Sequence, residues 1–409
     1  MELDNKCEIL WISACVPVKN GREAGTKTFF YYYDSIRRDK RFNVKLIAFC
    51  KEYLRSEGIE DNKGYSTDFI YYDSFSIRKK IINIESKINP YHKYGGLMTN
   101  LGAIEVKKRL KSLRKEGYYP DVIILEWTQI VIMAPMIKQI FPDAVLVASE
   151  HDVTFIGYGR KYQFYHGLKK IYWKIKYQNE KNKELSAVRC CDIVLPQNPD
   201  NIKLLEEEGI PGSKLNWLIP YFENLSHIKR QKNNTDVLFY GAMGRKENYL
   251  SALWFVEKVM PLLKDDGIRF VVLGSNPPQV LKELESDNIC VTGFVKNIRP
   301  YFEKSLCLVA PLVLGAGIKV KILEALSSGL PVLTNSIGIE GIPAHDNIDY
   351  IHCENPQDYV NAVKRALRKE LFDVGEMGKL FIKDTYNLEQ SANNYKNILL
   401  KTVEERKRE

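Results

Sequence analysis

No run of the sequence approaches the roughly 18 consecutive apolar residues that a helix needs to cross a bilayer, so a helical membrane-spanning protein is not the expectation. The opening residues, MELDNKCEILWIS, start acidic and enter a strand at once, unlike a secretion leader. The expected location is therefore the cytoplasm. Cysteine occurs eight times but never at ligand spacing: Cys190 and Cys191 are adjacent, and Cys7, Cys15, Cys50, Cys290, Cys307 and Cys353 lie mostly in or beside apolar runs. Reduced core thiols follow from that placement, and a zinc site does not. No Asp-x-Asp cluster stands at a strand end to bridge a diphosphate through a divalent ion, so no metal and no other cofactor is expected. The dinucleotide fingerprint Gly-x-Gly-x-x-Gly also fails, because Gly315 and Gly317 are followed by Val320 where the third glycine belongs. Neither a Ser-His-Asp set nor a carboxylate pair stands out.

What is present is a chain of 409 residues, 45% hydrophobic, too long for one ordinary core. Two α/β domains of about 200 residues each are the natural prior. The net charge of +9 is spread along the chain and not gathered in a tail. It suits anionic ligands or an anionic membrane surface as well as nucleic acid, and selects none of them. In the first half, strands are expected at EILWIS (8 to 13), FNVKLIAF (42 to 49), DVIILE (121 to 126), AVLVASE (144 to 150), DIVLPQ (192 to 197) and NWLIPY (216 to 221). In the second half they are expected at VLFYGAM (237 to 243), IRFVVLGS (268 to 275), ICVTGFV (289 to 295), LCLVAPL (306 to 312), PVLTNS (331 to 336) and DYIHC (349 to 353). Runs this continuously apolar suit parallel strands covered on both faces. The polar stretch ENLSHIKRQKNNTD (223 to 236) reads as a linker, drawn at residues 223–234 between domains at 1–222 and 235–386. A last helical pattern, within 387–409, is free to cross back onto the first domain. Ligands of doubly wound sheets lie at the carboxyl ends of strands, so a cleft between two such domains is the default site.

The segment GAGIKVKILEALSSGLPV (315 to 332) concentrates the chemistry. Its glycines let backbone approach a ligand without a Cβ in the way. The helix beginning near Gly317 offers free N–H groups and a positive dipole end, which together suit a phosphate. Lys319 in that turn is disfavoured by the dipole unless an anion binds beside it. Spacing alone leaves Glu324 as the surface partner of Lys321, three residues away.

The longer stretch APLVLGAGIKVKILEALSSGLPVLTNSIGIEGI (310 to 342) resembles the donor-binding segment of the retaining glycosyltransferases of family 4, which have the GT-B architecture of two facing Rossmann-like domains. VLFYGAMGRKENYLSALWFVEKVMPLL (237 to 263), TGFVKNIRPYFEKSLCLVAPL (292 to 312) and ASEHDV (148 to 153) resemble further family segments in the same order. The resemblance is strong over roughly the second half and thinner before residue 120. It implies an α/β GT-B fold with a cleft between its domains and a C-terminal helix returning to the first. It also implies that Glu324 holds the ribose of a nucleotide sugar, that the turn Gly317, Ile318, Lys319 and Val320 meets the diphosphate or the sugar, and that Gly293, Phe294 and Val295 take the base through main-chain contacts. Two positions depart from the family pattern. Ala316 stands where many members have a second glutamate against the donor sugar, and Ala242 stands where a basic residue follows Gly241. Arg245 and Lys246, a few residues on, are the cations expected to neutralise the diphosphate, Arg245 foremost because its fork fits phosphate oxygens.

In the first domain, His151 follows the run AVLVASE between Glu150 and Asp152, where the family often has a histidine at the donor sugar or reacting centre; a histidine beside carboxylates also serves simply to hold a loop. His92, His166, His227, His345 and His352 receive no role. Gly25 and Thr26, in the turn after the first strand, are donor-side candidates by the same resemblance. Glu180 sits where related chains often have a Tyr-Glu pair, and reads equally as a structural cap. The stretch 158–183 interleaves aromatic and basic residues, and fits either an anionic membrane that presents a lipid-linked acceptor or an ordinary helix whose stripe of Leu168, Ile171, Tyr172 and Ile175 faces the core. No RNA-binding signature accompanies it, so nucleic acid is not an expected partner.

The implied activity is retaining transfer of a sugar from a UDP- or GDP-linked donor to a glycan or glycolipid hydroxyl, in cell-surface polysaccharide or glycoconjugate synthesis, in the cytoplasm or at the inner membrane surface. Two rivals stand beside it: a nucleotide-sugar epimerase on the same plan, which would want further acid-base residues, and a non-catalytic sugar-nucleotide or membrane-surface scaffold, which Ala316 favours.

Overall fold

The computed structural model describes residues 6–19, 21, 23–51, 66–72, 89–92, 94, 100–231, 234–315 and 317–408. They form two compact units, Met1–Ile219 with Glu389–Glu409, and Pro220–Leu388.

The first unit is built on β1 (Cys7–Ser13), β2 (Phe42–Lys51), β3 (Ser66–Tyr72), β4 (Val122–Glu126), β5 (Val145–Glu150) and β6 (Ile193–Pro196). Their order in the sheet is β3-β2-β1-β4-β5-β6, with every pair parallel. Every residue of β4, β5 and β6 is buried, as parallel strands covered on both faces require. Alternate residues feed two separate cores. Leu10, Ile12, Ile123 and Leu125 pack on one face, Ile9, Trp11, Val122 and Ile124 on the other. The second face is closed by the C-terminal helix Leu388–Arg408, whose Ala392, Tyr395, Leu399 and Val403 recur at helical spacing against Trp11 and Tyr32. Tyr32 donates to the Ile219 carbonyl at 2.7 Å and lies 2.7 Å from the Ser391 hydroxyl, while Arg406 and Lys407 pair with Asp192 and Asp121 at 2.6 and 2.8 Å.

The second unit holds β7 (Asp236–Tyr240), β8 (Arg269–Leu273), β9 (Ile289–Gly293), β10 (Ser305–Ala310), β11 (Val332–Thr334) and β12 (Ile351–His352), in the order β12-β11-β10-β7-β8-β9 and again parallel throughout.

Three features differ from the sequence reading. NWLIPY is not a sheet strand: it lies beside β6, with Asn216 and Leu218 donating to the Val194 and Pro196 carbonyls, and the single bridge to β6 is made by Leu215, the residue before it. The sixth strand is instead STDFIYY, which becomes β3 beside β2 at the edge opposite β6. The run 223–234 is not a free linker, because its described residues belong to the second unit. Leu225 and Ile228 are buried, Leu225 N–H donates to Ser327 Oγ at 2.9 Å, and the Arg230 guanidinium donates to the carbonyls of Gly329, Ser305 and Leu306.

Parallel pairing puts all six carboxyl ends on one edge of each sheet. Strand order reverses between β1 and β4 in the first unit and between β7 and β10 in the second. At such a switch point the two neighbouring crossovers leave on opposite faces and open a crevice, which is where open α/β sheets bind ligands.

Candidate functional site

In the second unit the switch point lies between the turn after β7 and the turn after β10. The first turn leads into the helix Lys246–Lys258, with Arg245 at its N-cap position and Lys246 as its first residue. Both cations are exposed, and Arg245 pairs with Glu247. Gly241 and Gly274 both hold positive φ, and a Cβ on Gly274 would overlap the Gly241 carbonyl oxygen, so glycine is what lets the β7 and β8 turns touch.

The second turn leads into the helix Val320–Ser327, which starts three residues later than Gly317. Gly315 and Gly317 take φ of 149° and 68°. Lys319 occupies the N-cap position, buried, its ammonium bonded to the Gly317 carbonyl and 3.3 Å from Glu340 Oε2. A cation at a helix N-terminus is thus held by a carbonyl and a carboxylate, which offset the unfavourable dipole. Ala316 lies outside the described residues.

Lys321 departs from the sequence reading. It turns to Asn248, donating to Oδ1 at 2.6 Å, with its ammonium 4.8 Å from the centre of the Phe239 ring. Asn248 in turn donates to the Ala242 carbonyl at 2.8 Å, so this lysine ties the crossover after β10 to the crossover after β7. Burial, then repulsion from Lys319, pushes its pKa down to about 7.

Glu324 is buried one turn further along the same helix. Oε1 accepts from the Glu223 N–H at 3.3 Å, and the carboxylate is bonded to the Tyr240 hydroxyl at the end of β7. Burial and this carboxylate together raise the Tyr240 phenol well above its ordinary value. Glu324 therefore stands under the switch point, not on an outer face. The base-loop candidates follow β9: Gly293 has φ 67° with open space where a Cβ would stand, Phe294 is 74% exposed, and Val295 is half-buried.

In the first unit the equivalent edge gathers Gly25, Trp127 and His151. His151 follows β5, and its Nε2 lies 2.6 Å from Glu126 Oε1. Glu126 also accepts from Ser149 Oγ and Trp11 Nε1, both at 2.9 Å, so it acts as an acceptor throughout and Nε2 carries the hydrogen. Nδ1 then accepts from Gln197 Nε2 at 2.8 Å. Trp127 stacks on the imidazole, ring centres 4.6 Å apart and planes at 11°. Gly25 and Thr26 lie in the first turn of the helix Ala24–Arg37 and not in a loop after β1, and a Cβ on Gly25 would stand 3.3 Å from His151 Nδ1 and 3.5 Å from Trp127 Nε1, so the helix start passes close to both rings. Thr26 donates to the Glu23 carbonyl at 2.8 Å. Trp127 holds φ of 70°, an outlier for a bulky residue, at the end of β4.

Behind this group lie two buried carboxylates. Glu150 accepts from Thr128 Oγ1 at 2.6 Å while its Oε1 has no partner among the described residues; Glu184 accepts from the N–H groups of Thr154 and Phe155 at 2.8 and 3.0 Å. Burial pushes Glu150 up to about 7, and burial reinforced by Glu150 raises Glu184 well above the carboxylate range. Glu180 pairs with Lys183 at 3.0 Å. Among the described residues no group of three His, Cys, Asp or Glu side chains is arranged to hold a metal ion, and no helix is long and apolar enough to cross a membrane.

Several solved structures share this architecture. HepE of Anabaena, in complex with UDP, aligns at a TM-score of 0.65 with 10% identity, covering 96% of this chain and 100% of that one. Sucrose-phosphate synthase of Thermosynechococcus elongatus aligns at 0.70 with 12% identity over 97% and 99%. The lipopolysaccharide outer core galactosyltransferase WaaB, in its apo form, aligns at 0.60 with 11% identity over 97% and 99%. The fold is that of the GT-B glycosyltransferases. Within this GT-B chain, residues 234–369 match the family described as glycosyl transferases group 1, a span containing every candidate of the second unit. An uncharacterized 44.6 kDa protein from the cps region of Klebsiella pneumoniae is 25% identical over 150 residues, which span 33% of this chain and 39% of that protein.

The residues that sequence reasoning missed are the partners: Asn248, Tyr240 and Glu340 around the lysines and Glu324, and Glu126, Trp127 and Gln197 around His151. Glu126 alone carried a signal, as a carboxylate ending the apolar run DVIILE.

Proposed function

We propose that the chain is a retaining glycosyltransferase of family 4 type that moves a sugar from a UDP- or GDP-linked donor to a hydroxyl of a glycan or lipid-linked acceptor. Surface polysaccharide assembly is the setting that the Klebsiella relative supports through its cps-region name. The observation that carries the reading is the switch point of the second unit. There Lys319, Lys321 and the N-terminus of Val320–Ser327 converge beside a buried carboxylate, Glu324, within the segment that matches group 1 glycosyl transferases.

In this reading the amides of Gly317 to Val320, with Lys321, Arg245 and Lys246, neutralise the diphosphate, and Glu324 accepts from the ribose hydroxyls. Phe294 and the main chain of Gly293 and Val295 hold the base. Charge builds on the departing phosphate oxygen as the bond from C1 breaks, and fixed cations and amides stabilise that charge without reorganising. The acceptor oxygen forms its bond to C1 on the same face, and its proton passes to the diphosphate, so no protein base is required. His151 fits this role set as a positioning group. Its nitrogens are engaged by Glu126 and Gln197, its ring stacks on Trp127, and the start of the helix Ala24–Arg37 passes beside it at Gly25. A lipid-linked acceptor would bring the chain to the inner membrane surface.

The test is a panel of UDP- and GDP-sugars scored by thermal stabilisation and by slow release of free nucleotide. A ligand at 100 times its dissociation constant adds about 2.7 kcal/mol to the folded state. One nucleotide class is expected to stabilise the protein and be hydrolysed, and Glu324→Ala to abolish both. Absence of any response across the panel would overturn the proposal.

A further inference from the structure

The helices Thr154–Phe164 and Gly167–Arg189 form an antiparallel hairpin, pressed close where a Cβ on Gly159 would stand 3.2 Å from the Tyr177 ring. Its base is anchored. Val153, Phe155, Leu185, Ala187 and Val188 are buried in one core of the first unit. Its far end is not. From Ile156 to Ile175 no residue is buried, and Phe164, Leu168 and Ile171 are 75%, 85% and 56% exposed at and beside the turn. The stripe that would face the core in an ordinary helix faces outward here at Leu168 and Ile171.

The same end is uniformly cationic. Arg160, Lys161, Lys169, Lys170 and Lys174 are exposed, and no acidic residue occurs between Thr154 and Asn179. The lysines lie over aromatic rings: Lys161 at 4.8 Å from Trp173, Lys170 at 5.5 Å from Tyr162 and Lys169 at 5.9 Å from Tyr165. Tyr165 and Trp173 themselves stack, with planes at 12°. Rigid rings with a polar edge, flanked by cations and capped by bare aliphatic side chains, match the layering of a bilayer surface from phosphate to acyl chain.

We propose that this hairpin turn docks on an anionic lipid bilayer, with Phe164, Leu168 and Ile171 entering below the headgroups and the surrounding lysines and Arg160 bound to lipid phosphates. Charge decides among occupants. Two copies of so cationic a turn repel each other, and exposed leucine and isoleucine offer nothing to a nucleic acid. The inference does not depend on the transfer reaction, since lipid binding is read without donor or acceptor.

The experiment is co-sedimentation with vesicles of phosphatidylcholine alone and of phosphatidylcholine containing about one third phosphatidylglycerol. Two variants accompany the wild type, Phe164→Ser/Leu168→Ser/Ile171→Ser and Lys169→Gln/Lys170→Gln/Lys174→Gln, with far-UV circular dichroism and melting midpoint confirming their folds. Wild type is expected to bind only the anionic vesicles and to be released by salt. The lysine variant is expected to lose about 100-fold in partitioning, and the apolar variant to be released at lower salt than wild type. Equal binding to both vesicle types, undiminished binding by either variant, a wild-type dimer that the variants abolish without any vesicle binding, or binding to poly-uridine in place of vesicles would each overturn the proposal. UDP binding measured on the same variants is expected to match wild type, so failure here is distinguishable from failure of the site reading.

Discussion

Lys321 is the residue whose protonation the site controls. Its pKa of about 7 lies far below the ordinary lysine value, because burial and the charge of Lys319 disfavour the ammonium. Between that value and the unfolded one the unfolded chain holds a proton that the folded chain lacks, so this group makes stability rise with pH across that window. A bound diphosphate favours the ammonium again. UDP affinity is therefore predicted to fall between pH 7 and 9, by up to about tenfold per unit, with proton uptake visible by calorimetry in buffers of different ionisation enthalpy. Lys321→Met should bind more weakly and lose the uptake; wild-type binding without uptake would contradict this assignment. Glu150 works in the opposite sense. Its folded pKa is raised to about 7 by burial, so its favourable contribution is complete at low pH and is lost as pH rises from the unfolded value through about 7. Glu150→Gln is expected to melt above wild type at pH 8, with the gap closing by pH 5. At this scale the sequence displayed Lys319 and Glu324 but hid their partners. Asn248 lies 73 positions from Lys321, Glu126 lies 25 from His151 and Gln197 lies 46 from it, and no local spacing expresses such contacts.

Among elements, the buried parallel strands were legible because a strand covered on both faces is apolar along its whole length. NWLIPY is mostly apolar and still forms no sheet strand: it meets β6 through the N–H groups of Asn216 and Leu218, and the one bridge, at Leu215, lies just before it. β3 was missed because STDFIYY begins polar and its apolar part is short. The polar run from 223 reads as a linker by composition, yet packs on the second unit through Leu225, Ile228 and the Arg230 guanidinium, contacts that average polarity does not reveal. The C-terminal helix can be tested directly. Tyr395 is fully buried against Trp11 and Tyr32, and its hydroxyl has no partner among the described residues. Tyr395→Ala is expected to cost about 3–5 kcal/mol in denaturant unfolding, whereas Tyr395→Phe should leave stability equal or higher, because it removes an unsatisfied buried hydroxyl. A loss of similar size in both variants would show that the hydroxyl is bonded in solution.

For the molecule as a whole, two parallel sheets each place a switch point at the carboxyl ends of their strands, and the candidate residues of both units collect on those edges. The second unit combines that crevice with cations, a helix N-terminus and a buried acid. The first combines it with a histidine whose orientation is set by Glu126, Gln197 and Trp127. His151→Ala is accordingly expected to slow transfer while leaving UDP affinity within about twofold, because the proposed nucleotide site belongs to the other unit and independent sites add within about 0.5 kcal/mol. A matching loss of UDP affinity would put the histidine among the nucleotide's own contacts. The central claim, that the second unit's switch point binds a nucleoside diphosphate, is tested most directly by a crystal structure with UDP. The account predicts diphosphate oxygens on the amides between Gly317 and Val320 and on Lys321, with a ribose hydroxyl on Glu324. UDP bound elsewhere, with Glu324 still bonded to the Glu223 amide and making no contact with the ribose, would contradict it.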